Sequence, residues 1–115
     1  MARIVEILIY TLKPETGLAF YEIMENISVP LHSKNDIDVM WHGQSLHSSD
    51  GYFLIRSFPD LATLQSAQND FYGSVAWQTG PRDAIIDMID QSLKVVVSMD
   101  EDAIEAIREN GYSVS

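Results

Sequence analysis

The chain has no cysteine, so a disulfide framework, a thiolate nucleophile and any Cys-ligated zinc or iron–sulfur site are excluded. Basic residues are scarce as well. Seven Lys and Arg stand against seventeen Asp and Glu, a formal net charge of -10, which opposes long-range attraction to phosphate backbones or anionic lipid. Nucleic acid is therefore not an expected partner. No stretch approaches membrane-spanning length, and Glu6 interrupts the only apolar run that could serve as a signal core after Arg3, so no membrane association is expected and a cytoplasmic location is the default. Gly-rich phosphate loops, a Ser nucleophile elbow and paired acids at helical spacing on an apolar face are all missing, which removes the common kinase and hydrolase readings.

What remains is enough for one core. At 115 residues, with 46% hydrophobic and 21% charged side chains, the chain has the profile of one globular domain that buries roughly two-thirds of its unfolded surface. Ile4 to Tyr10 reads as a strand, with Val5, Ile7 and Ile9 on one face and Ile4, Glu6, Leu8 and Tyr10 on the other. Thr16 can cap a helix whose stripe is Phe20, Ile23, Met24, Ile27 and Leu31, with Pro30 marking its end. Ile37 to His47 is a second strand, placing Ile37, Val39 and Trp41 together and Met40, His42 and Leu46 opposite. Asp50-Gly51 turns the chain into a third strand, Tyr52 to Phe58.

Asp60 then caps a helix carrying Leu61, Leu64, Ala67 and Phe71, and a segment opened by Pro81 stays helical to about Asp90. Leu93 to Met99 is the fourth strand. The order is β-α-β-β-α-β, an α+β class, ferredoxin-like arrangement. Residues 1–99 make this domain, and residues 100–115 an acidic C-terminal helix and tail of net charge -4, capped by Asp100, stapled by Met99 on Ile104 and ended by Gly111.

Both faces of such a sheet would be apolar, whereas its two helices cover only one. Leaving six or more aliphatic groups wet would forfeit about 10 kcal/mol. A second copy laid on the open face is the simplest cover, so a homodimer is expected.

Polar residues that break the apolar pattern are the candidate functional groups. Arg56 shares a face with Tyr52, Leu54 and Phe58 and needs an anion, either Glu6 or a ligand carboxylate or enolate. His42 is a candidate base beside it. Tyr10, Trp41, Tyr72 and Trp77 could line an aromatic pocket, and Arg82 sits in the first turn of a helix, where a cation needs a specific partner. His42 and His47 point to opposite faces, so no metal site is expected. His32 falls in a loop beside Pro30, and it alone could serve a haem; no cofactor is expected.

The segment Phe71-Tyr72-Gly73-Ser74-Val75-Ala76-Trp77-Gln78-Thr79-Gly80-Pro81-Arg82-Asp83-Ala84-Ile85-Ile86 resembles the bacterial branch of the NIPSNAP family. Glu6, Tyr10, Lys13-Pro14 and Arg56-Ser57-Phe58-Pro59-Asp60-Leu61 extend the resemblance over about residues 3 to 99. Leu8 departs from it, standing where relatives often place an Arg. The resemblance implies a dimeric α/β barrel, a superfamily that includes cofactor-independent monooxygenases, small-molecule isomerases and haem-binding enzymes. Two functions follow as expectations: an oxygenase or isomerase using His42 and Arg56 on a small aromatic or polyketide-like ligand, or a non-catalytic small-molecule binding or scaffold dimer. A cavity faced by at least two of His42, Arg56, Tyr10 and Glu6 would favour ligand chemistry.

Overall fold

A computed structural model describes residues 1–110; the proposed stop at Gly111 lies outside them. Four antiparallel strands form one sheet in the order β2-β3-β1-β4. They are β1 (Ala2–Leu12), β2 (Asp38–Gln44), β3 (Gly51–Phe58) and β4 (Ile89–Asp100). Period-2 alternation holds along β1 and β3, which pair Glu6 with Arg56, Leu8 with Leu54 and Tyr10 with Tyr52. Ile4, Glu6, Leu8, Tyr10 and Leu12 thus share the helix-covered face with Tyr52, Leu54, Arg56 and Phe58.

The first helical stretch runs past Pro30 instead of ending there. It comprises α1 (Gly17–Ile23), a π-helical turn (Met24–Ser28) and α2 (Val29–Lys34), with Pro30 in the first turn of α2. A wider turn just upstream removes the need for the amide hydrogen that proline lacks, so the axis continues. The same turn rotates the stripe. Phe20, Met24, Ser28 and His32 form the buried row, while Ile27 faces solvent. Spacing of four drifts forward in an α-helix, and the π turn takes the drift back.

Thr16 makes no cap, because its hydroxyl donates to Lys13 O. Asp50, from the β2–β3 turn, takes that role by accepting from the amides of Glu15 at 3.0 Å and Gly17 at 3.1 Å. Turn and helix approach so closely here that a Cβ on Gly17 would lie 1.7 Å from Ser49 O.

Three further boundaries move. β2 ends at Gln44 and bulges between Val39 and Trp41, pairing Val39 with Arg56 but Trp41 with Ile55. The extra residue flips every later side chain. Trp41 therefore leaves the face of Ile37 and Val39 and packs edge-on against Phe53 on the open face, 4.7 Å between centroids; Met40 joins that face and His42 turns toward the helices. Asp60 caps α3 (Leu61–Tyr72) through Thr63 N at 2.7 Å, and α4 (Val75–Thr79) and α5 (Arg82–Met88) follow as separate short helices. Because α5 stops at Met88, β4 starts at Ile89, four residues before Leu93.

The last helix, α6 (Glu101–Asn110), crosses one end of the open face. Asp100 ends β4 and stands immediately before α6. Ile104 packs with Val5, Met40 and Met99, and Arg108 clamps Asp38 of β2 with two hydrogen bonds of 2.8 and 2.7 Å. The open face is thus divided. At its other end Ile9, Leu93 and Val95, neighbours across β1 and β4, remain 50%, 69% and 54% exposed.

Candidate functional site

Under the helices, the sheet carries a buried polar cluster. Glu6 and Arg56 are 0% and 1% exposed. Arg56 Nε donates to Glu6 Oε1 at 2.7 Å and Nη2 closes the second contact with the same carboxylate. Gln68 of α3 also donates to Glu6, and Lys94 Nζ of β4 lies 3.2 Å from Oε2. Burial alone would raise the Glu6 carboxyl; the Arg56 charge and the bonds from Gln68, Arg56 and Lys94 outweigh it and hold the pKa below its ordinary value.

The remaining Arg56 donors are also used. Nη1 donates to Tyr72 Oη at 2.8 Å and to His32 Nε2 at 3.1 Å. His32 donates from Nδ1 to Ser28 O at 2.7 Å, which fixes the tautomer and leaves Nε2 as an acceptor. Burial pushes the His32 pKa down to about 4 despite the Ser28 bond, so the ring stays neutral. His32 is consequently a helical, buried member of the cluster, not a loop residue. Every nitrogen of Arg56 is thus engaged by a protein group, which leaves it no free fork for a ligand. The ion pair with Glu6 accounts for its burial.

Tyr72 leads from this cluster to a cavity. Eight residues line about 300 Å3: Tyr10, Tyr72, Trp77 and Gln78, then Arg82, Ile85, Ile86 and Ile89. Tyr10 comes from the end of β1, Tyr72 from the end of α3, and Trp77 meets Tyr72 edge-on at 5.2 Å. Gly80 and Pro81 interrupt the helix between α4 and α5, both of which contribute residues to this lining. Burial, with the Tyr72 phenol, pushes the Tyr10 pKa up, so its hydroxyl stays protonated.

The candidate residues are therefore split. Tyr10, Tyr72, Trp77 and Arg82 line one cavity, Glu6 and Arg56 lie behind its wall, and Trp41 is on the opposite face of the sheet. His42 is elsewhere too. Its Nδ1 is hydrogen-bonded to the buried Tyr52 hydroxyl, its Nε2 is 2.9 Å from Glu25 Oε2 on the π turn, and Tyr21 stacks on it. Burial lowers the His42 pKa, with Glu25 opposing. Of His42, Arg56, Tyr10 and Glu6, only Tyr10 faces the cavity, so the expectation that at least two of them would line it is not met.

Sequence reasoning misses Gln68, Lys94 and the buried place of His32. Gln68 carried a signal: it lies four residues after Leu64 and three before Phe71, a polar side chain in the buried row of α3. A second hollow, about 310 Å3, lies between α6 and the sheet among Arg3, Asp38, Glu101, Ile104, Glu105 and Arg108. Arg108 there pairs with both Asp38 and Glu105. Among the described residues there is no group of three or more His, Asp or Glu able to hold a metal ion, and no helix long and apolar enough to cross a membrane.

Neither a family model nor any curated protein matches the sequence. Solved structures do. A NIPSNAP-like domain protein from Burkholderia xenovorans superposes with a TM-score of 0.77 at 15% identity, covering 86% of each chain. A NIPSNAP family protein from Agrobacterium tumefaciens gives 0.79 at 10% identity over 90% of each. A putative antibiotic biosynthesis monooxygenase from Nitrosomonas europaea gives 0.60 at 15% identity over 84% of this chain and 89% of its own. This chain has the ferredoxin-like α+β fold of those proteins.

Proposed function

We propose that the protein is a homodimer that binds a small, largely apolar organic compound in the cavity between sheet and helices. The observation that carries this reading is the cavity itself: about 300 Å3, walled by Trp77 and three isoleucines, with a few convergent polar groups. A thermal-shift screen of one- and two-ring compounds should find stabilisers of the wild-type chain. Trp77→Ala should lose them, and a screen without any stabiliser would sink the reading.

The dimer rests on the half of the open face that α6 leaves uncovered. Burying Ile9, Leu93 and Val95 from their present exposure would contribute roughly 3–5 kcal/mol per subunit before the cost of association. That is less than an entirely bare face would give. Light scattering at micromolar concentration should report a dimer, and Leu93→Glu combined with Val95→Lys should make it a folded monomer. A monomeric wild type would overturn this part.

An oxygenase or isomerase is the second reading, favoured by the likeness in fold to the putative monooxygenase. Against it, His42 and Arg56 are both occupied away from the cavity lining. Oxygen uptake with any stabilising compound would support it, and its absence with all of them would leave binding alone.

A further inference from the structure

We infer that the cavity selects an organic anion, a one- or two-ring compound whose carboxylate or enolate oxygen is held by the Tyr72 hydroxyl and the Arg82 guanidinium. This rests on the cavity being a ligand site and adds the charge of what it takes. Its first support is what lines it. The chain has seventeen acidic residues against seven basic ones, yet the eight lining residues include Arg82 and no Asp or Glu. A cation would find no carboxylate among the lining residues, and Asp83, just outside them, is already paired with Arg82.

The second support is the state of the Tyr72 hydroxyl. Its oxygen already accepts from Arg56 Nη1 at 2.8 Å, so what it has left to offer is its proton. A bond accepted from a cation polarises the hydroxyl and strengthens its donation to an acceptor. Behind it, Arg56 and the half-exposed Lys94 share the single carboxylate of Glu6 while His32 is neutral, so that side carries no net negative charge. Tyr10, kept protonated by burial, is another donor in the same lining.

Arg82 completes the set at the mouth. Its guanidinium contacts Asp83 Oδ1 at 2.9 Å, a pair between adjacent exposed residues. Water weakens such a pair, so swinging the guanidinium onto a ligand costs little. The apolar body would lie against Trp77, Ile85, Ile86 and Ile89, in an open-mouthed space of about 300 Å3 that accommodates one or two rings.

The test is calorimetric titration of the full-length chain with 2-naphthoate and with 2-naphthamide, which share a shape and differ in charge. The naphthoate should bind roughly tenfold tighter, as one charge-assisted bond allows. Arg82→Gln should remove most of that difference while leaving the amide's affinity nearly unchanged, and Tyr72→Phe should weaken the naphthoate. Arg82 is half-exposed, so its variant folds even if Tyr72→Phe does not. Equal binding of the two probes, or undiminished discrimination in Arg82→Gln, would overturn anion selection and leave the cavity reading intact. If neither probe nor any screened compound binds, both readings fail.

Discussion

Replacing Arg56 by methionine is expected to destabilise the protein by roughly 3–5 kcal/mol, because it strands a buried carboxylate rather than merely deleting a contact. Glu6 is 0% exposed, and with Arg56 gone it keeps only Gln68 and the half-exposed Lys94. His32 Nε2 and Tyr72 Oη lose a donor at the same time. Glu6→Leu should be similarly costly from the other side, leaving a guanidinium in an apolar core. The double variant Glu6→Leu with Arg56→Met should then be less damaging than the sum by about 2 kcal/mol. Urea unfolding of the four proteins measures this, and strict additivity would show that the pair is not the energetic unit.

Acid should weaken the fold well above the pH at which carboxylates titrate. In the unfolded chain His32 takes up a proton near its ordinary value of 6.5, whereas in the folded protein burial holds it near 4. As pH falls below 6.5, the unfolded state therefore binds a proton that the native state refuses. Stability declines until about pH 4 and then levels off, a loss of about 3 kcal/mol from this residue. His42, lowered by burial, adds to the loss in the same direction, so the diagnostic is a comparison of wild type with His32→Gln. Glutamine can still donate to Ser28 O and accept from Arg56. That variant should lose less stability between pH 7 and 4, and equal slopes would contradict the assignment. Glu6 works in the same sense at lower pH: its stabilisation is fully present above the ordinary carboxylate value and is lost as pH falls through its own, lower pKa.

The sheet was legible in the sequence wherever side-chain alternation is uninterrupted. Facing Glu6 and Arg56 toward the helices needs only a period of two along β1 and β3, and their cross-strand pairing follows from a tight turn. Trp41 was misplaced because the bulge after Val39 adds one residue to β2 with no Gly or Pro to announce it. His32 was misplaced for a related reason: Pro30 normally reads as a helix stop, and the π turn that accommodates it has no local signature. The position of α6 depends on Arg108 reaching Asp38, seventy residues away in sequence. Its effect on the open face was invisible from the amphipathic pattern alone. Within the cavity, aromatic residues and Arg82 stood out by type, but their convergence depends on the separate course of α4 and α5.

The π turn also makes chain length a coded quantity. Between Phe20 and His32 the buried row advances in steps of four through Met24 and Ser28, and it stays in line because a single turn holds one residue more than an α-helix would. A one-residue insertion in Met24–Ser28, wound as ordinary helix on top of the existing wide turn, would swing the following segment by about 100° and carry the imidazole out of reach of Arg56. Substitutions in this segment change one contact each. An added residue displaces every side chain of α2 at once, so the helix tolerates altered letters far better than an extra one.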